Sequence, residues 1–228
     1  MGIKKLASIT LAALLIIYGC GKKSGQETTK TDDNKQQTTQ QTQTVNQDSI
    51  NKQQEADKQQ KIKEAMDNEK IVNDTLGQWA IDADVSSTYG DEKATDKSNG
   101  PYTKFQMLGK PDVERYSDDG RAWAPKEADK GIEWVMLGYD KAVNATEVRV
   151  RQNIGPGAII KIELIDTDGK SHTVWEGPDK TKYDPDKIQY LFAKFDKTAY
   201  KTKRVKITLA TNAVDGWNEI DAVQLVGQ

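Results

Sequence analysis

Cysteine is almost missing: Cys20 is the only one in 228 residues. A disulfide framework within the chain and a metal site built on clustered thiolates are both excluded. Histidine is equally scarce, with His172 alone, so no multi-histidine centre can form. His172 follows Ser171 in "SHTVWE", which reads as a strand. Neighbours in a strand point to opposite faces, so the two are not a nucleophile–base pair. No phosphate-loop spacing occurs, and "GPGA" at 155–158 reads as a tight turn between strands. Positive charge is not in excess either. Lys and Arg number 33 against 35 Asp and Glu, a formal net charge of −2, which gives no footing for nucleic acid as a partner. Carboxylates are plentiful, but no motif sets a pair of them as acid and base. The sequence does not read as an enzyme.

Aromatic residues are missing from the first third of the chain. Apart from Tyr18, every Trp, Tyr and Phe lies at or after Trp79. One packed domain is therefore expected over residues 76–228, long enough to bury a sizeable core. Residues 22–49 are rich in Gln, Thr and Lys with almost nothing apolar, so burial cannot offset the entropy of ordering them. They are expected to be a disordered tether, here taken as 20–49 with its leading Cys. Residues 50–75 space Ile62, Ala65, Met66, Glu69, Val72 and Leu76 in a roughly helical way, which predicts a single helix leading into the domain.

The sole long apolar run sits at the start. "MGIKKLASITLAALLIIYGC" sets Lys4 and Lys5 before an apolar stretch from Leu6 to Tyr18 and a small residue before Cys20. That is the layout of a secretory signal, and the run is too short to span a bilayer. "IYGC" at 17–20 resembles the bacterial lipobox, in which cleavage before the Cys precedes its acylation. The resemblance implies a signal peptide over 1–19, lipidation of Cys20 and a membrane-anchored bacterial lipoprotein of the cell envelope. Gly21 after the Cys points to the outer membrane. Several acyl chains would give stable anchoring.

From Trp79 onward short runs of alternating apolar residues take over: "WAIDADV" (79–85), "IEWVMLGY" (132–139), "TEVRVRQ" (146–152), "AIIKIELI" (158–165), "SHTVWE" (171–176), "IQYLFAKF" (188–195), "RVKITLA" (204–210) and the final "NEIDAVQL". Turn signals separate them, "DTDG" (166–169) among them, and no helical crossovers intervene. This predicts an all-β antiparallel sandwich of about eight strands. Trp134 and Trp175 are expected in its core, with Ala158, Ile160, Ile162 and Leu164 on one face. Arg149 and Arg151 are expected on a solvated face, and Asp221 facing water.

Beyond the strand pattern, "QMLGKPDV" (106–113), "YSDDGRAWAP" (116–125), "GIEWVMLGYDKAVNATEVRVRQ" (131–152), "GPGAIIKIELIDTDG" (155–169) and "GWNEIDAVQLVG" (216–227) together resemble the discoidin, or galactose-binding-like (factor V/VIII type C), superfamily. The resemblance implies an eight-stranded jelly roll whose loops at one end bind ligand, here carbohydrate or glycoconjugate. The alternative is a protein-interaction, adhesion or envelope structural module, with a host or envelope protein as partner. A structural calcium is also implied, held by Glu219 of the last strand with Asp112, Asp118 or Asp119 of the early loop. Calcium would answer a question the sequence itself poses, because a carboxylate inside a strand is costly unless something meets it. Hydrogen bonds from loop amides, or a pair with Arg121, would answer it too. Trp123 and Trp217 stand at loop–strand junctions as candidate sugar platforms, with Asn153, Asp215 and Asn218 as hydrogen-bonding neighbours. Tyr89, Tyr102 and Tyr116 in the long loop have the same ambiguous character.

Overall fold

The computed structural model describes residues 33–228, with side chains from residue 47 onward. The expected signal segment, Cys20 and the first part of the tether lie outside the described residues. One helix, α1, runs Asp33–Val72, beginning well before the expected start at 50. Gln, Lys, Glu and Ala are good helix formers, and side chains four apart support one another. Gln47 Nε2 donates to Asn51 Oδ1 (3.1 Å), Gln53 Nε2 to Asp57 Oδ1 (2.7 Å) and Lys63 Nζ to Asp67 Oδ2 (2.9 Å). Those local pairs, which an apolar-periodicity test does not see, support the helix from Gln47 onward.

Residues Gln59–Gln228 form one compact unit. Within it are β1 (Gly77–Trp79), β2 (Asp82–Val85), β3 (Ile132–Val143), β4 (Ala145–Ile154), β5 (Ile159–Asp166), β6 (Ser171–Glu176), β7 (Gln189–Lys194), β8 (Thr202–Ala210) and β9 (Glu219–Gly227). They make a jelly-roll sandwich of two antiparallel sheets, ordered β1-β9-β4-β7 and β2-β3-β8-β5-β6. The core lies between the sheets. Val148 and Val150 of β4 and Val223 and Leu225 of β9 come from one side; Val135 and Leu137 of β3, Ile162 and Leu164 of β5 and Ile207 of β8 come from the other.

Three sequence expectations change. The run 79–85 is two strands, not one: Trp79 pairs with Gln224 and Asp82 with Gly138, in opposite sheets. The chain crosses over at Ala80 and Ile81. In β5 a register shift falls between Ile159 and Lys161, which sends Ile159 inward and leaves Ile160 only half-buried. Trp134 alternates with the buried Val135 and so stands on the outer face of its sheet, half-buried under Lys206, whose Nζ is 5.3 Å from the ring centroid. Trp175, on the edge strand β6, is also half-buried but packs against the core.

Strand β9 is buried along its whole length, unlike an ordinary half-exposed strand. Its inner face meets the core, and its outer face is covered. Gln224 Nε2 donates to the carbonyl of Ile71 at the end of α1 (3.0 Å), and the loop at 112–113 donates two backbone N–H groups to Asp221 Oδ1. The long segment between β2 and β3 contains short 3-10 turns at Lys97–Asn99 and Lys104–Met107. It is pinned to β9 by reciprocal backbone bonds between Trp123 and Ile220 (2.9 and 3.0 Å). That pin sets the early loop beside the first residues of β9.

Candidate functional site

Three segments converge at the start of β9: the stretch after β2, the loop ending at Trp123, and the turn before Glu219. Glu219 is 2% exposed. Among the described residues it meets no basic side chain. The Asn153 amide donates to its Oε2, the Asp119 backbone N–H approaches the same oxygen at 3.4 Å, and the Asp118 carboxyl lies alongside. Burial, with Asp118 alongside opposing the relief from Asn153 and Asp119, pushes the Glu219 carboxyl up to about 7. Arg121 is engaged elsewhere. Its Nε and Nη2 grip Asp119 at 3.0 and 2.7 Å and hold that carboxyl below its usual range.

Above this carboxyl pair stand three aromatic rings. Tyr89 packs edge-on against Tyr102 (centroids 5.3 Å apart, planes at 88°) and against Trp217 (5.2 Å, 76°). The Tyr102 hydroxyl donates to Asp118 Oδ1 at 2.5 Å, which raises the pKa of the phenol. Together Tyr89, Tyr102, Trp217, Asp118, Glu219 and Ala124 line a cavity of about 130 Å³. Two backbone features fix its walls. Tyr102 sits in the left-handed region (φ 58°), held by its N–H donating to Gly120 O (2.9 Å) and by Thr88 Oγ1 donating to its carbonyl (2.7 Å). A non-glycine residue there carries strain of order 1–3 kcal/mol, a cost most often met at functional sites. Gly155 (φ 54°) lies so close to the Trp217 carbonyl that a Cβ would approach it to 2.2 Å, so the glycine lets the 216–218 turn close down on β4.

The sequence candidates separate. Trp217 lines the cavity. Asn153 lies beneath it, fully buried, through Glu219. Asn218 is 2% exposed and donates to the Gly155 carbonyl (2.7 Å). Asp215 is exposed and does not line the cavity. Trp123 is 0% exposed, with its Nε1 donating to Ser87 O (3.0 Å). It is a core residue, and the expectation of an exposed ring there is not met. Tyr116 lines a different, larger groove, of about 790 Å³, near Arg151 and Tyr190. Tyr89 and Tyr102 are the residues that sequence reasoning left ambiguous. The turn-rich loop offers no periodicity to place them, and only the left-handed Tyr102 backbone marks the spot.

The basic pair is not solvated. Arg151 Nη1 binds Val113 O (2.7 Å) and forms an ion pair with Asp221, whose side chain is 0% exposed. Arg149 binds Glu147, Asp74 and Gln224. Asp221 therefore faces a buried guanidinium rather than water, because the loop at 112–113 and Arg151 close over β9.

The residues expected to hold calcium do not assemble. Asp118 and Glu219 meet, but Asp112 is exposed and paired with Lys97 (2.9 Å). Among the described residues no group of three or more His, Cys, Asp or Glu is placed to hold a metal. The Asp119 carboxyl is held by Arg121, and the Asp118 and Glu219 carboxyls alone fall short of the six to eight oxygens calcium takes.

A search of curated proteins returns no match. Among solved structures, chitosan-binding module 1 of a Paenibacillus sp. IK-5 chitosanase/glucanase is similar at 13% identity (64% of this chain, 94% of that one, TM-score 0.45). The family 32 carbohydrate-binding module of C. perfringens NanJ, in complex with galactose, is similar at 12% (66% and 98%, TM-score 0.42). A Ruminococcus gnavus GH29 fucosidase is similar at 15% over 69% of this chain, which spans about a quarter (26%) of that enzyme (TM-score 0.44). Residues 68–228, most of the chain, match the family described as "PAPPA: Pappalysin-1, SD scarf domain, C-terminal", and the chain belongs to that family.

Proposed function

We propose that this protein is a non-catalytic binding module that takes a carbohydrate or glycoconjugate at the Tyr89–Tyr102–Trp217 cavity. One observation carries the reading: three aromatic rings set edge-on around an opening whose floor is made of carboxyl oxygens. Aromatic faces pack against the C–H faces of a sugar ring, and carboxyl oxygens accept from its hydroxyls. Acylation at Cys20, supported by the lipobox-like "IYGC", would anchor the module to the bacterial outer membrane and present the cavity from a membrane surface. The test is a glycan-array screen of the intact chain beside its Trp217→Ala variant. A saturable hit that the variant loses supports the reading; a blank array with folded protein overturns it. For the anchor, metabolic labelling with palmitate should mark the wild type and not Cys20→Ser.

A further inference from the structure

The cavity is small and unevenly equipped. At about 130 Å³ it falls below the roughly 300–1,000 Å³ of clefts that enclose a whole small molecule, so it takes a head group rather than a complete sugar. Acceptors outnumber donors around it. The Asp118 and Glu219 carboxyls line it, and among the described residues no Lys or Arg does. Beside Glu219, the side-chain oxygens of Asn153 and Asn218 are buried without a hydrogen-bond partner, on residues 0% and 2% exposed. Arg121, in the same loop as Asp118, has its fork committed to Asp119. The lining includes the rings of Tyr89, Tyr102 and Trp217, with Tyr89 roughly perpendicular to each of the other two, and aromatic rings attract cations through their quadrupoles.

We infer that the cavity receives an ammonium group, so that the sugar recognised is a cationic amino sugar rather than a neutral or N-acetylated one. An ammonium brings three donors and no acceptor, which matches the carboxyl-rich lining, and it brings the positive charge that none of the described residues gives to Glu219. Burial beside Asp118 raises the Glu219 carboxyl to about 7, and a cation entering beside it favours its ionised form. The inference rests on the glycan reading only in assigning the ammonium to a sugar.

Calorimetric titration of the intact chain with glucosamine oligomers, their N-acetylated counterparts, glucose oligomers, tetramethylammonium chloride and calcium chloride separates the two claims. The expected result is at least about tenfold tighter binding of the glucosamine oligomers than of either neutral series. Asp118→Asn, a change at an exposed side chain, should remove that preference while the variant stays folded and unfolds cooperatively. Equal binding of neutral and cationic oligomers, lost in Trp217→Ala, overturns the inference and leaves the glycan reading standing. Binding of tetramethylammonium with no sugar bound upholds the cation cage and overturns the glycan reading. Saturable calcium binding that abolishes with Asp118→Asn, without any ammonium binding, overturns the inference in favour of a metal. No binding of any probe overturns both.

Discussion

Glu219 and Asp221 stand two residues apart on β9, on the same face, and both are buried (2% and 1% exposed). Their surroundings differ. Asp221 has a guanidinium, from Arg151, and two backbone N–H groups. Glu219 has a neutral amide, one long backbone contact and a second carboxyl. A buried charge that the fold itself neutralises holds a loop in place, here 112–113 against the sheet. Glu219 has no such compensation among the described residues and lies beside three aromatic rings, which is why the proposed ligand site is placed there. The sequence "NEIDAV" presents the two carboxyls alike, and the fold separates them.

The largest effect should come from breaking the compensated member. Arg151→Met leaves Asp221 buried and unpaired and should cost roughly 3–5 kcal/mol in urea unfolding. A cost below about 1 kcal/mol would mean that Asp221 is reached by solvent. A second test concerns the uncompensated member and has the opposite sign. The folded-state pKa of Glu219 lies above its ordinary value of 4.5, at about 7. Its protonated form therefore stabilises the fold fully below about 4.5, and that contribution is lost as pH rises through about 7. At pH 8 Glu219→Gln should be more stable than wild type, by on the order of 2–3 kcal/mol. At pH 4.5 the advantage should disappear. A variant less stable at every pH would show that Glu219 carries a favourable charge after all. Next in size, Trp217→Ala should cut ligand affinity at least about tenfold while costing no more than about 1–2 kcal/mol of stability, because the ring is half-buried at the cavity mouth. Smallest of all, Arg121→Ala removes an exposed ion pair with Asp119 and should change stability by less than about 1 kcal/mol.

The sheets were largely legible because alternation survives in them: β3, β4, β6 and β8 fall close to their apolar runs. Alternation fails where both faces are covered or a bulge intervenes, as in β9 and at Ile160. A single apolar run also hid the crossing from β1 to β2. The site was legible in part. Glu219 announced itself as a carboxylate out of place, and Trp217 by its position before β9. Trp123 looked equivalent, yet a backbone bridge to Ile220 draws it into the core. Asp112 and Asp118 share a loop, but Asp112 pairs with Lys97 while Asp118 turns to Tyr102. Nothing local distinguishes them, because the partners come from elsewhere in the fold. Tyr89 and Tyr102 are placed by loop contacts and a left-handed backbone, which no periodicity reports.

The central claim is that the cavity under Tyr89, Tyr102 and Trp217 is where ligand binds. Its most direct test is the set of five tryptophan indole N–H signals in the NMR spectrum of the intact, isotope-labelled chain, followed through a titration with glucosamine oligomers. The Trp217 signal should move and saturate, while the buried Trp123 and the outward-facing Trp134 stay still. Saturable shifts confined to Trp134, Trp175 or Trp79, with Trp217 unmoved, would place the binding surface elsewhere and contradict the account.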